Sequence, residues 1–201
     1  MTEHWDGPPL EAWAAWSPQE AALRLSSVTA PWCVVGGWAL DLWLGEQTRP
    51  HGDLEIAIQR QDLPQVRAAL GLPLHAVGDG EVRLLADDQP TPPHRHQNWV
   101  REGQAWRMDV MLEPGDAQTW AYRREPALTA PRAWMLGVSK DGVPYLKPQG
   151  VLLYKSKAPR PKDEADLALA LPRLDDEARA WLEDAVARFE PGSPWRGRFQ
   201  T

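Results

Sequence analysis

The run Val34-Val35-Gly36-Gly37-Trp38-Ala39-Leu40-Asp41, followed after a linker by His51-Gly52-Asp53-Leu54-Glu55-Ile56-Ala57-Ile58, decides how the rest of the chain is read. It predicts a buried strand, a two-glycine turn, a short helix, a loop, and a strand that opens with two carboxylates one residue apart. Side chains on a strand alternate faces, so Asp53 and Glu55 point one way while Leu54, Ile56 and Ile58 point to the other and supply core. Two neighbouring acids repel unless a cation sits between them. Hard oxygen ligands of this kind suit Mg²⁺, which binds through a few carboxylates together with substrate phosphates. The glycine pair ahead of a helix gives phosphate a place to lie, because backbone N–H groups and the positive helix end converge there. A phosphate cradle joined to a metal-binding acid pair points to chemistry on a nucleotide.

Upstream, an Ala/Trp-rich segment after Gly7-Pro8-Pro9 predicts a short helix up to Trp16. Ser17-Pro18-Gln19-Glu20 has the N-cap, the proline at the first helical position and the glutamate three residues on that open a helix, here expected to run to about Val28. Pro31 ends that section and Trp32 to Val35 form the first strand. The helix after the glycines stops at Gly45. Downstream, Gln61 to Leu70 reads as a helix, and Pro73 to Leu85 as a hairpin turning at Gly78-Asp79-Gly80. Gln97 to Val100 and Ala105 to Leu112 read as two strands around Glu102-Gly103. In the second, Met108, Val110 and Leu112 share one face and Arg107, Asp109 and Met111 the other. If this strand neighbours the acid strand, about 4.8 Å away, Asp109 joins Asp53 and Glu55 at one site. Further on, helices are expected from Pro148, from about Lys162 to Leu171 and from Asp175 to Phe189, with the tail packed by Trp195. The resulting division is an α/β core over residues 1–130 and a helical region over residues 131–201.

The 201 residues allow one compact domain or a core with a smaller helical addition. A formal charge of −6 argues against a protein that coats nucleic acid, because that affinity comes mostly from Lys and Arg. Cys33, the one cysteine, sits in an apolar run and reads as a buried, inert thiol. A single cysteine permits no internal disulfide, which fits the cytoplasm. No window is apolar enough to span a membrane, and no signal peptide is evident. Twelve tryptophans are expected mainly in core and pocket walls.

The segments Gly36-Gly37-Trp38-Ala39-Leu40-Asp41, Leu44-Gly45 and Thr48-Arg49-Pro50-His51-Gly52-Asp53-Leu54-Glu55-Ile56 resemble the nucleotidyltransferase superfamily. The likeness is closest to its small aminoglycoside and lincosamide nucleotidyltransferases. Arg107-Met108-Asp109-Val110-Met111-Leu112-Glu113-Pro114 and Leu152-Leu153-Tyr154-Lys155 through Lys162-Asp163-Glu164 are similar to the same group. Glycines, a spaced acid pair and a third acid on a later strand are together far more specific than a double glycine alone. The resemblance implies an α+β fold, a mixed sheet flanked by helices with a C-terminal helical region. It also implies Mg²⁺-dependent transfer of a nucleoside monophosphate from an NTP, ATP foremost, to a hydroxyl of a small molecule such as an aminoglycoside-like or lincosamide-like antibiotic. By position, Asp53 and Glu55 would hold metal and Asp109 would be the third carboxylate, either completing a metal site or taking the proton of the acceptor hydroxyl. Two departures stand out. Glu55 replaces the more usual Asp, and Trp38 follows the glycines where many members have Ser, although the antibiotic-modifying branch shares that Trp.

Arg49 and His51 are either phosphate contacts or solvated loop residues. Lys155 lies where the resemblance places a triphosphate-binding lysine; otherwise it is a surface lysine on an amphipathic helix. Lys157, Arg160 and Lys162 read as solvated, balanced by Asp163, Glu164 and Asp166. His94 and His96 read as a polar loop for want of a third ligand, and Glu113 as a reserve base. Two other readings compete: an enzyme modifying protein or RNA, and a regulatory protein that keeps the fold without turnover.

Overall fold

The acid-bearing strand β2 (Glu55–Gln59) runs parallel to β6 (Ala105–Glu113), with Glu55 opposite Asp109 and Gln59 opposite Glu113. The structure, a computed structural model, describes residues 7–199. Its backbone divides into two compact units, one made of residues up to Trp32 with Pro50–Glu113, the other of Cys33–Arg49 with the chain from Pro114 onward.

In the first unit, β2 and β6 are continued by β5 (Gln97–Glu102), β3 (Leu74–Gly78) and β4 (Glu81–Leu84), all antiparallel to their neighbours. The sheet is therefore mixed, β2 and β6 being parallel and β3, β4 and β5 antiparallel to their neighbours. Leu54, Ile56, Ile58, Met108 and Val110 are all at 1% exposure or less, the apolar face that the alternation requires. Ala57 and Gln59 on the opposite face are buried as well, as expected for a strand paired in parallel. The β3–β4 hairpin turns at Gly78-Asp79-Gly80, where Asp79 takes φ 55°. Helix α1 (Pro18–Arg24) opens with the full capping box: the Glu20 N–H donates to Ser17 Oγ and the Ser17 N–H to Glu20 Oε2. It ends at Arg24 with Leu25 as its C-cap, short of the expected Val28.

Two expectations need correction. Residues 10–16 do not form a helix: Trp13 makes a parallel bridge to Trp106, the N–H groups of Ala14 and Trp16 donate to the carbonyls of Trp106 and Arg107, and that of Trp106 to Ala12. This extended segment pairs with the first residues of β6, and β2 takes over from Asp109 onward. A distant strand edge with free backbone groups outweighs the helix propensity of alanine. The acid strand also begins at Glu55, so Asp53 stands in the loop just before it.

In the second unit, β1 (Trp32–Val34) lies parallel to β10 (Pro144–Leu146), which pairs antiparallel with β9 (Leu136–Val138). A separate hairpin joins β7 (Thr119–Tyr122) to β8 (Glu125–Pro131). Helix α5 (Pro148–Ser156) is buried on nearly all sides and packs against α2 (Gly36–Leu44), α6 (Pro161–Ala170) and α7 (Asp176–Phe189). A Cβ on Gly150 would come within 2.8 Å of Met135 Cε and 2.9 Å of Leu146 Cδ1, so a larger residue there would have to displace the ends of those side chains. Trp195 is fully buried and anchors the tail, and Cys33 is a buried free thiol. Among the described residues no helix is long and apolar enough to cross a membrane.

Candidate functional site

In the first unit, register sets Glu55 beside Asp109, with Asp53 two residues before Glu55. Register pairs Glu55 with Asp109 across parallel strands, so both side chains leave the same face. The Asp109 N–H donates to the Leu54 carbonyl at 2.8 Å, which ties Asp109 to the residue between Asp53 and Glu55. Asp53 is exposed, Glu55 half-buried and Asp109 almost wholly buried at 4%. Burial pushes the Asp109 carboxyl well above the usual carboxylate range, and the charges of Glu55 and Asp53 push the same way. Side-chain hydrogen bonds from Gln97 and Trp99 oppose this only in part. One of them is well formed, with Gln97 Nε2 donating to Asp109 Oδ2 at 2.9 Å. The other oxygen, Asp109 Oδ1, is buried with no hydrogen-bond partner.

A buried carboxylate beside two others, with one oxygen unmet, is the environment a divalent cation would relieve. Among the described residues no three His, Cys, Asp or Glu side chains close on a common point. Glu113 lies opposite Gln59, at the far end of the paired segment from Asp109. His94 lies 3.1 Å from Asp79 on the exposed hairpin turn.

The second unit holds Gly36, Gly37, Arg49 and Lys155. Gly36 and Gly37 are the first two residues of α2 rather than a turn ahead of it, and Gly36 takes φ 67°. The N-cap Val35 makes no side-chain capping bond. Arg49 forms a two-pronged pair with Asp166, at 3.0 and 3.1 Å. Lys155, only 9% exposed, is held by Asp163 at 2.5 Å and Asp166 at 3.0 Å. Arg160 completes the group through Asp163, which also accepts from the Arg160 N–H at the start of α6. Asp163 and Asp166 are thus buried partners of Lys155 and Arg49, not the solvated counter-charges of Lys157 and Lys162 that their spacing suggested. The packing of α5 on α6 overrides the i,i+4 pattern within α6. His51 is half-buried in the segment before Asp53, in the first unit.

Gln97 is the neighbour of Asp109 that the sequence did not mark. The strand it belongs to was legible, but its contact with Asp109 depends on the antiparallel register that sets Trp99 opposite Asp109 and Gln97 opposite Met111.

Comparison with known proteins bears on the same stretch. The family model described as aminoglycoside-2''-adenylyltransferase matches residues 20–83, the part that contains Gly36, Gly37, Asp53 and Glu55. No curated protein matches the chain. The crystal structure of ANT(2'')-Ia in complex with adenylyl-2''-tobramycin is similar over 86% of this chain and 95% of its own, at 16% identity and a TM-score of 0.56. The solution structure of ANT(2'')-Ia is similar over 87% and 89%, at 19% identity and a TM-score of 0.54. At these identities the structural likeness establishes the fold.

Proposed function

We propose that this chain, a nucleotidyltransferase by fold and similar to the aminoglycoside-modifying branch of that superfamily, moves a nucleoside monophosphate from an NTP, ATP foremost, to a hydroxyl of an aminoglycoside-like small molecule. The observation that carries this reading is Asp109: buried, carrying an unpartnered Oδ1, and in register with Glu55 beside Asp53. Structural carboxylates are normally paired, whereas perturbed and unpaired ones mark sites of chemistry. Asp53 and Glu55 are the residues to hold Mg²⁺, with Asp109 as third ligand or as base. When bound, the ion neutralises charge on the triphosphate and polarises the phosphoryl group.

The rest of the mechanism belongs to the protein. The three acids orient the donor along one face of β2 and β6. Asp109 Oδ1 is free to take the proton of the attacking hydroxyl, and its raised affinity for protons suits that task. The uncapped start of α2, with Gly36 and Gly37, offers N–H groups to phosphate. Arg49, His51 and Lys155 are proposed as further nucleotide contacts. For Arg49 and Lys155, that role requires the Asp163–Asp166 network to share its cations with phosphate.

The test is incubation with Mg²⁺, labelled ATP, CTP, GTP or UTP, and a panel of aminoglycosides and lincosamides. Pyrophosphate release with a labelled small product is the expected result. Label on protein or RNA, or tight NTP binding with no turnover across the panel, would overturn the reading. Lys155→Ala is expected to weaken NTP binding more than acceptor binding, and equal effects would remove Lys155 from the nucleotide site.

A further inference from the structure

Asp109 has neighbours on both sides of its strand, and they differ in kind. On the β2 side stand the acids; on the β5 side stand two neutral side chains that donate hydrogen bonds. Gln97 and Trp99 are two residues apart on β5 and therefore share a face, and the register Trp99 opposite Asp109 makes it the face of Asp109. Gln97 reaches diagonally, from its place opposite Met111, to put Nε2 2.9 Å from Asp109 Oδ2. Only the amide nitrogen can face an ionised carboxylate, because the amide oxygen would repel it. Trp99 is fixed in turn by edge contacts with Trp13 and Trp106, each with ring centres 5.1 Å apart. The β5 wall beside Asp109 is therefore rigid and offers donors without charge.

We infer that Gln97 is a positioning residue of this site: by occupying Oδ2 from the β5 side, it holds the Asp109 carboxylate in one rotamer and leaves Oδ1 as the single oxygen offered toward Glu55 and Asp53. The inference rests on the reading of Asp109 as the third acid and deepens it, since it makes Asp109 a one-oxygen participant whether it meets a cation or a hydroxyl proton. A neutral donor suits this task better than Lys or Arg would. A cation at this point would cancel the charge of Asp109 and leave it an ordinary buried ion pair. An apolar residue would let the carboxylate rotate and present either oxygen, with the loss that follows when the support of a reacting group is removed.

The test uses Gln97→Leu, which keeps the bulk and removes the donor, beside Asp109→Asn. Two readouts are followed: steady-state turnover, and the carboxyl carbon of Asp109 in metal-free protein by NMR, assigned from its loss in Asp109→Asn. For Gln97→Leu, kcat and kcat/KM for the NTP should fall together by about 10- to 100-fold. The Asp109 carboxyl signal should move and titrate at higher pH, because the donor to its ionised form is gone. Parental turnover with an unmoved signal would overturn the inference. If Gln97→Leu does not fold, Gln97→Glu carries the test, since it has the same shape but places a carboxylate where the donor was; the same losses support the inference and parental behaviour overturns it. Asp109→Asn separates the two levels: if that variant keeps turnover, the reading of the three acids itself fails, whatever Gln97 does.

Discussion

Asp109 in one unit and Asp163 with Asp166 in the other are buried to the same degree, yet their surroundings drive them in opposite directions. Burial raises all three. For Asp163 the hydrogen bonds of Arg160 and Lys155 more than reverse it, and for Asp166 those of Arg49 and the charge of Lys155 do the same, so both are held below the ordinary carboxylate range. For Asp109 the nearest charges are Glu55 and Asp53, which add to the effect of burial. The second unit thus uses its acids to join α5, α6 and the segment ahead of Pro50, as a satisfied network does. The first unit keeps an acid whose charge nothing in its own strands balances. Burial alone does not separate a structural carboxylate from a functional one; the sign of the neighbouring charge does.

The sharpest way to break this comparison is to neutralise the unpaired acid. Asp109→Asn should lower turnover by about 10²- to 10⁴-fold, measured as pyrophosphate release, with the far-ultraviolet circular dichroism unchanged. Lys155→Met attacks the other side. It strands part of the charge of Asp163 and Asp166 and should destabilise the protein by about 3 kcal/mol in urea denaturation, as breaking a buried pair does. A loss below about 1 kcal/mol would reduce the network to the level of a surface pair.

Smaller effects sharpen the contrast through pH. The folded-state pKa of Asp109 lies above its unfolded value, so its ionisation opposes folding. That penalty is absent below the unfolded pKa of about 3.9 and grows as pH rises toward the raised value. Asp109→Asn should therefore stabilise the protein at pH 8, a gain read by urea denaturation that fades as pH falls toward about 4. Asp166 is the reverse case. Its folded pKa is depressed, so its contribution is full above about pH 4 and is lost as pH falls further; the destabilisation by Asp166→Asn should shrink in the same direction. Matching pH trends for the two variants would dissolve the distinction. Ser17→Ala, which touches neither cluster, should cost about 1 kcal/mol at any of these pH values by removing the cap of α1.

The likeness to the nucleotidyltransferases carried by Gly36-Gly37 and Asp53-Leu54-Glu55 is supported by the family model over residues 20–83 and by the fold. The strand at Glu55, the later strand that carries Asp109 and the capping box of α1 were legible, because each rests on local alternation or on residues within one turn of each other, whereas Asp53 falls in the loop ahead of its expected strand. The segment before Trp16 was not, since its alanines favour a helix until a distant strand edge offers hydrogen bonds. Lys155 was placed on its helix, but its partners lie on a neighbouring one. Gln97 carried no signal, because a glutamine on a strand has no spacing that marks it.

By itself, then, the order of residues determined which side chains carry charge, which face of each strand they leave, and where helices begin. Those properties follow from backbone geometry over a few residues. Only the tertiary structure decided which charges are answered: Arg49 and Lys155 meeting Asp166, Asp109 meeting neutral donors on β5 and the like charges of Glu55 and Asp53. Electrostatic energy depends on distance and dielectric between groups far apart in the chain, and register and packing alone set both.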